Sequence, residues 1–174
     1  MHDSLIFDIK RYAINDGPGI RVVIFFKGCN LHCGWCHNPE SISAKVEKMY
    51  APAKCIKCGS CVAACPEKAI TMTPDGVVTN PDLCKVCGKC AEVCPTKAIE
   101  LSGKVMTVPE IMDIIEKERI FFDQSGGGVT FSGGEPLVHS KMLLELLDEC
   151  RKRRIHTAID TAGNVSTETI LEVA

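Results

Sequence analysis

Twelve cysteines in a chain of 174 residues are the first chemistry this sequence offers. Eleven of them fall in three short segments with two or three residues between neighbours. At that spacing thiolates converge on a metal centre and do not reach the separations and directions a disulfide needs. The reading is a reducing compartment and iron–sulfur loading. In the first segment Cys29, Cys33 and Cys36 give C-x3-C-x2-C, three thiolates where a cubane has four irons. One iron is left open, and an open position lets an exogenous ligand bind the metal directly, as catalytic zinc sites do and structural ones do not. A three-cysteine zinc site completed by His32 or His37 is the other reading of this loop, although zinc-finger ligands usually come as two separated pairs.

The other two segments are copies of each other. Cys55, Cys58, Cys61, Cys65, Pro66, Lys68, Ala69 and Ile70 recur 29 residues later as Cys84, Cys87, Cys90, Cys94, Pro95, Lys97, Ala98 and Ile99, so one structural unit is duplicated. Between about residues 50 and 103 the composition turns to Cys, Lys, Ala and Pro, which marks a separate insert. Its C-x2-C-x2-C-x3-C-P runs resemble those of two-cluster bacterial ferredoxins, in which the fourth cysteine of each run serves the other cluster. The resemblance implies one cluster on Cys55, Cys58, Cys61 and Cys94 and another on Cys84, Cys87, Cys90 and Cys65. Neither has a vacancy for substrate. Two roles stay open for them: relaying electrons from an external donor, or bracing an insert with few apolar residues.

Regular elements must hold these loops. Arg21–Phe26 is β-branched and aromatic without alternation, which predicts a strand buried on both faces, and the first cysteine loop leaves from its end. Thr107 with Glu110 forms a capping box, and Val108, Ile111, Met112 and Ile115 recur at helical spacing, predicting a helix over 108–121. A strand follows at 128–132. Gly126 to Gly128 precede no Gly-Lys-Ser or Gly-Lys-Thr and read as a flexible turn rather than a phosphate loop. Pro136 and Ser140 introduce a second helix with Leu143, Leu147 and Cys150 on one face, where Cys150 reads as an inert core thiol. The basic run 151–154 complements that helix's C-terminus. A third strand at 157–160 and a third helix capped by Ser166 or Thr167 complete the pattern. Strands alternating with helices mean parallel β/α units.

The stretch from Asp16-Gly-Pro-Gly-Ile-Arg21 through Cys29-Asn-Leu-His-Cys33-Gly-Trp-Cys36-His-Asn-Pro39 resembles the activating enzymes of glycyl radical enzymes. These are the pyruvate formate-lyase activase family, within the radical S-adenosylmethionine group. Gly128-Val-Thr-Phe-Ser-Gly-Gly-Glu-Pro136 and Asp160-Thr-Ala-Gly163 resemble two further segments of that family. The resemblance implies that the open iron held by Cys29, Cys33 and Cys36 binds the amino and carboxylate groups of S-adenosylmethionine. Reduction then cleaves the sulfonium to a 5'-deoxyadenosyl radical, which takes hydrogen from a glycine Cα of a partner enzyme. It implies too that Gly133, Gly134 and Glu135 receive the methionine amino group, and that Trp35 lies by the adenine. Asp160 would lie near the carboxylate and a bound cation, and Asp16 and His37 would contact the incoming glycine loop. Each position has a plainer reading beside this one. Trp35 could pack in the core, Gly133-Gly134-Glu135 could be a turn, Asp160 a cap, Asp16 part of a turn, and His37 a backbone partner only.

The expected fold is α/β, a partial (β/α) radical SAM barrel of about three of the family's six units, with an inserted small α+β two-cluster ferredoxin-like domain. The boundaries read 1–49, 50–103 and 104–174. Because the pattern stops inside a helix, the chain reads as an N-terminal fragment, poorly active alone and with exposed strand edges that favour association. Expected cofactors are three 4Fe-4S clusters and S-adenosylmethionine. Expected partners are a glycyl radical enzyme as protein substrate and a flavodoxin or ferredoxin as electron donor. Lys plus Arg number 20 against 22 Asp plus Glu, a net charge of -2 that calls for no nucleic acid and no membrane surface. No apolar run nears the roughly 18 residues of a membrane span. The start Met1-His2-Asp3-Ser4 lacks a secretory signal, so the expected location is cytoplasmic. Two other functions fit the same residues: a radical SAM enzyme acting on another peptide or a small molecule, and a ferredoxin-type electron carrier. His139 and His156 receive no role.

Overall fold

The computed structural model describes residues 3–174; Met1 and His2, part of the start read as lacking a signal, lie outside the described residues. In chain order the elements are β1 (Asp3–Ala13), β2 (Arg21–Phe26), β3 (Glu47–Tyr50), α1 (Ser60–Ala63), β4 (Ile70–Thr73), β5 (Gly76–Thr79), α2 (Lys89–Glu92), β6 (Ile99–Ser102), β7 (Lys104–Thr107), α3 (Val108–Lys117), α4 (Arg119–Ser125), β8 (Gly128–Gly133), α5 (Ser140–Lys152), β9 (His156–Ile159) and α6 (Thr167–Val173). They form two compact units. Met1–Lys45 with Gly103–Ala174 make the first, and Val46–Ser102 the second.

The first unit is an α/β layer built on a five-stranded sheet in the order β7-β1-β2-β8-β9. β2, β8 and β9 run parallel, as the alternating pattern requires, while β1, antiparallel to both β2 and β7, and β7 beyond it are additions that the pattern did not announce. β1 hides because its alternation is broken. Its register against β2 shifts between Ile6 and Asp8, and the extra residue brings Ile6 and Ile9 onto the same core-facing side. Val22, Ile24 and Phe26 of β2 and Val129 and Phe131 of β8 face that same core, closed by Ile111, Met112 and Ile115 of α3 and by Met142, Leu143, Leu146 and Cys150 of α5. The apolar face of α5 therefore centres on Leu143 and Leu146, with Leu147 only partly buried at its margin.

The single helix expected over 108–121 is two helices. Glu118 leaves helical angles (φ −98°, ψ 6°) and separates α3 from α4. Its side chain is buried, with Arg11 of β1 3.4 Å away. A periodic apolar pattern does not register a break made around one buried carboxylate paired with a half-exposed arginine. The capping box at Thr107 and Glu110 is formed, with Glu110 Oε2 accepting from the Thr107 N–H at 2.8 Å. Ser166 caps α6 through the Thr169 N–H. The basic run finds acidic partners as well as a helix end. Arg151 and Lys152 pair with Asp148, and Arg153 pairs with Glu149 and Glu116.

The second unit joins two two-stranded ladders, β3-β6 and β4-β5, to the one-turn helices α1 and α2. Its buried core is Cys61, Ile70, Val77, Cys90 and Ile99. So few apolar side chains fall short of what an independent unit of this size needs without a staple. No helix among the described residues is long and apolar enough to cross a membrane.

Candidate functional site

Three loops leave the C-terminal ends of the three parallel strands and are tied to one another. The first carries Gly28 to Cys36 after β2, the second Gly134 and Glu135 after β8, and the third Asp160 to Gly163 after β9. β8 closes tightly on β2 here. The Gly134 N–H donates to the Phe26 carbonyl at 2.8 Å and the Glu135 N–H to the Gly28 carbonyl at 3.0 Å. A Cβ on Gly133 (φ +112°) would lie 2.4 Å from the Phe26 carbonyl oxygen, and one on Gly134 2.3 Å from that of Gly28. Approach of chain to chain thus requires both glycines, whatever they do for a ligand.

Glu135 binds the third loop to the second. Its side chain is fully buried. Oε1 accepts from the Thr161 hydroxyl at 2.7 Å and the Leu137 N–H at 3.0 Å, and Oε2 accepts from the Ala162 N–H at 3.0 Å. With both oxygens engaged, the carboxylate faces the fold, and the Glu135 main chain is held as well, its N–H by the Gly28 carbonyl and its carbonyl by the Val138 N–H. Beside it the Ser132 hydroxyl donates to Asp160 Oδ2 at 2.8 Å. Asp160 is exposed.

The cysteine loop is anchored at its base. Gly28 and Cys29 donate their N–H groups to Ser41 (2.7 Å) and Ile42 (3.0 Å), and the Asn30 amide reaches the Asn164 carbonyl. Lys27, fully buried, donates from Nζ to the Glu40 carbonyl. Sequence reasoning missed Lys27; its one signal is a cation ending the apolar run Val22–Phe26 before Gly28. It also gave His139 no role. The ring is half-buried, stacked on Phe26 (centroids 5.2 Å apart), and bonds the Lys27 carbonyl through Nε2 at 3.1 Å. Burial holds its pKa below the usual histidine range, with the bond to Lys27 opposing.

The sequence-derived residues are distributed unevenly about this rim. Cys29, Cys33 and Cys36 are half-buried on one loop, with the Cys36 N–H turning back to the Cys33 carbonyl at 3.1 Å. Trp35 is 87% exposed, which corrects the core-packing alternative. His37 is exposed on the same loop. Asp16 lies at the other end of the strand. The Thr130 hydroxyl donates to its carbonyl at 2.7 Å, next to buried Arg21, whose Nε donates to Thr130 Oγ1 at 2.7 Å and whose Nη2 donates to the Val129 carbonyl at 2.6 Å. Arg21 opens β2 and the cysteine loop follows its end, a strand length of roughly 17 Å. The structure does not bring Asp16 and His37 together. His156 is likewise drawn in by Arg21, 3.3 Å from Nη1 to Nδ1.

In the second unit the eight cysteines divide between two cavities. Cys55, Cys58, Cys61 and Cys94 line one. Cys65, Cys84, Cys87 and Cys90 line the other. The repeat is kept in detail: Ala69 N–H donates to Cys65 Sγ at 3.3 Å and Ala98 N–H to Cys94 Sγ at 3.2 Å. Among the described residues no three His, Cys, Asp or Glu side chains are arranged to hold a single metal ion. A cubane asks for something else, because each thiolate takes a different iron of an object several ångström across instead of meeting at about 2.3 Å around one ion. Four thiols around one cavity fit that requirement. Cys150 stands apart, buried against Met112 with its thiol pushed up to about 12 by burial, the inert core position expected of it.

A family model described as a 4Fe-4S single cluster domain matches residues 15–172. The chain belongs to that family. Among relatives of this 4Fe-4S family member are the isethionate sulfite-lyase activating enzyme of Desulfovibrio desulfuricans, 43% identical over 98% of this chain and 56% of the relative. The trans-4-hydroxy-L-proline dehydratase activating enzyme of Clostridioides difficile is 42% identical over 99% and 57%. The benzylsuccinate synthase activating enzyme of Thauera aromatica is 44% identical over 93% and 50%. The resemblance to glycyl-radical-enzyme activating enzymes is thereby borne out. The chain spans about half the length of the curated relatives it matches.

Proposed function

We propose that this chain carries the S-adenosylmethionine-cleaving rim of an activase that generates a glycyl radical on a partner enzyme, in the cytoplasm. The observation that carries the reading is the tie between the three strand-end loops through Glu135 and Ser132, which fixes Gly133–Glu135 and Asp160 beside the cysteine loop. Cys29, Cys33 and Cys36 would hold a 4Fe-4S cluster with one iron free. When bound, that cluster and S-adenosylmethionine supply the reductive cleavage that yields a 5'-deoxyadenosyl radical, which takes hydrogen from a glycine Cα.

The protein's own share is positioning. Main-chain carbonyls of the Gly133–Glu135 turn would receive the methionine amino group, since the N–H groups of Gly134 and Glu135 already donate to the Phe26 and Gly28 carbonyls, and the Glu135 side chain keeps the turn in place from below. Asp160, aimed by Ser132, offers its free oxygen to a cation or to the polar end of the ligand. Trp35 presents an exposed aromatic face for the adenine, and His37 an imidazole for the incoming peptide. Asp16, on the β1–β2 loop, would meet that peptide at the other end of the sheet. The two four-cysteine cavities would hold closed clusters, Cys55, Cys58, Cys61 and Cys94 for one and Cys65, Cys84, Cys87 and Cys90 for the other, passing electrons from a flavodoxin or ferredoxin. The relatives' names differ in the reaction of the enzyme activated, so the partner is proposed only as a glycyl radical enzyme.

The test is anaerobic reconstitution with iron and sulfide, then dithionite and S-adenosylmethionine, carried out on the chain extended to its relatives' length. Formation of 5'-deoxyadenosine is expected, together with loss of one cubane's iron and all cleavage in the Cys29→Ala, Cys33→Ala, Cys36→Ala variant. A variant that keeps all its iron would remove the cluster from this loop. No 5'-deoxyadenosine from a fully loaded wild type would leave a ferredoxin-type carrier instead.

A further inference from the structure

The two four-cysteine cavities are related by the 29-residue repeat, yet their linings differ in charge at four equivalent places. Ile56, Ser60, Val77 and Thr96 line the first cavity. Lys85, Lys89, Lys48 of β3 and Glu67 stand at the matching positions of the second. No charged residue lines the first cavity among the described residues; its sulfurs meet hydroxyls instead. Ser60 Oγ lies 3.4 Å from Cys58 Sγ and Thr96 Oγ1 3.9 Å from Cys94 Sγ. The Tyr50 hydroxyl accepts the Val77 N–H at 3.1 Å. Lys57 is next to Cys58, but its ammonium donates to the Pro74 carbonyl.

In the second cavity Lys85 and Glu67 pair at 3.0 Å and offset each other. Lys48 remains, half-buried, held by the Thr79 hydroxyl and lining the cavity with Cys90. Lys89 is exposed and more strongly screened. The lining is thus positive at the second site and uncharged at the first, where the ammonium of Lys57 is exposed and screened by solvent. A cubane gains negative charge on reduction, so nearby positive charge favours its reduced state, and net charge with sulfur hydrogen bonding sets the potential where cluster type and ligands are the same. A half-buried full charge acts more strongly than neutral hydroxyl dipoles.

We propose that the two insert clusters are redox-inequivalent, the one on Cys65, Cys84, Cys87 and Cys90 having the higher midpoint potential, with Lys48 as the residue that sets the difference. The inference rests on the cysteine ligand assignment proposed above. One electron from a one-electron reductant takes a cubane core from 2+ to 1+ and leaves the donor oxidised by one. Exchange between the two clusters moves that same electron and no proton, so a singly reduced insert holds it at the second site.

The test is a redox titration followed by electron paramagnetic resonance. It uses the full chain carrying Cys29→Ala, Cys33→Ala and Cys36→Ala, so that only the insert clusters titrate. Two separate waves are expected. Lys48→Met lowers the upper wave and leaves the lower in place, Ser60→Lys raises the lower, and Cys87→Ala abolishes the upper. Lys48→Gln serves the same purpose if Lys48→Met fails to fold. A single wave, or a Lys48 variant with two cubanes of iron whose waves are unmoved or whose lower wave moves, overturns the inference while the ligand assignment stands. Iron below two cubanes before any Lys48 change overturns the ligand assignment, and the inference with it.

Discussion

Glu135 shows how one side chain can sit inside a ligand-binding motif and serve the fold. Three donors from two loops converge on its carboxylate, none of them matched by an alternative acceptor. Glu135→Ala leaves the Leu137 N–H buried and unpaired and releases the donors of Thr161 and Ala162, exposed residues that water can reach; it is expected to destabilise the apo chain by about 2 kcal/mol, with Glu135→Gln costing about 1 kcal/mol because one oxygen is kept. Urea denaturation measures both, and equal stability of the alanine variant would contradict the bonding described. His139 makes a pH prediction. Its folded pKa is depressed by burial, so the unfolded chain takes up the proton first. The stabilisation is present above the ordinary value of 6.5 and is lost as pH falls below it. Wild type should lose stability as pH drops from about 6.5 towards 5, and His139→Phe, which keeps the stacking on Phe26, should lack that part of the slope.

Among the elements, the meeting of β2 and β8 is the decisive pairing, because it sets the distance between the cysteine loop and the Gly133–Glu135 turn. Phe26 pairs with Gly133 at the last rung of the ladder. A methyl group there strikes backbone, which cannot move aside as a flexible side chain would, and φ is also positive. Gly133→Ala should therefore cost about 3 kcal/mol or more and lower the thermal midpoint by roughly 6–12 °C. Gly34→Ala is the control: nothing lies within 4 Å of its added Cβ, so its midpoint should match wild type. α3 and α5, expected from periodicity, cover one face of this sheet. β1 and β7 extend it on the side where no parallel unit was expected.

At the scale of the whole molecule, the second unit begins and ends on paired strands. Glu47 of β3 stands opposite Ser102 of β6, so the entry and exit of the insert are neighbours. Replacing Val46–Ser102 by a short Gly-Ser link closes a small gap at little loop entropy. The first unit, with its own core, should still fold, giving cooperative unfolding by circular dichroism and, after reconstitution, the iron of one cubane in place of three. Retention of more iron than that would assign clusters to the wrong unit. Loss of cooperative folding would mean that the first unit depends on the second.

The sequence by itself determined what is local. Loop spacing grouped Cys29, Cys33 and Cys36, the 29-residue repeat marked the duplicated insert, and helical and strand periods announced β2, β8, β9, α3 and α5. Each of these signals lies within a few residues of chain or in a direct copy of it. Only the tertiary structure decided what depends on partners far apart in sequence. Thr161 meets Glu135 across 26 residues and Thr130 meets Arg21 across 109. Phe26 receives His139, a bulge puts Ile6 and Ile9 in phase, and Asp16 stands a strand away from His37. The same holds for charge. The two cysteine runs match position by position, but their cavity linings do not: β3 carries Lys48 where β5, its counterpart at the 29-residue offset, carries Val77, and only the fold shows that both positions line a cavity.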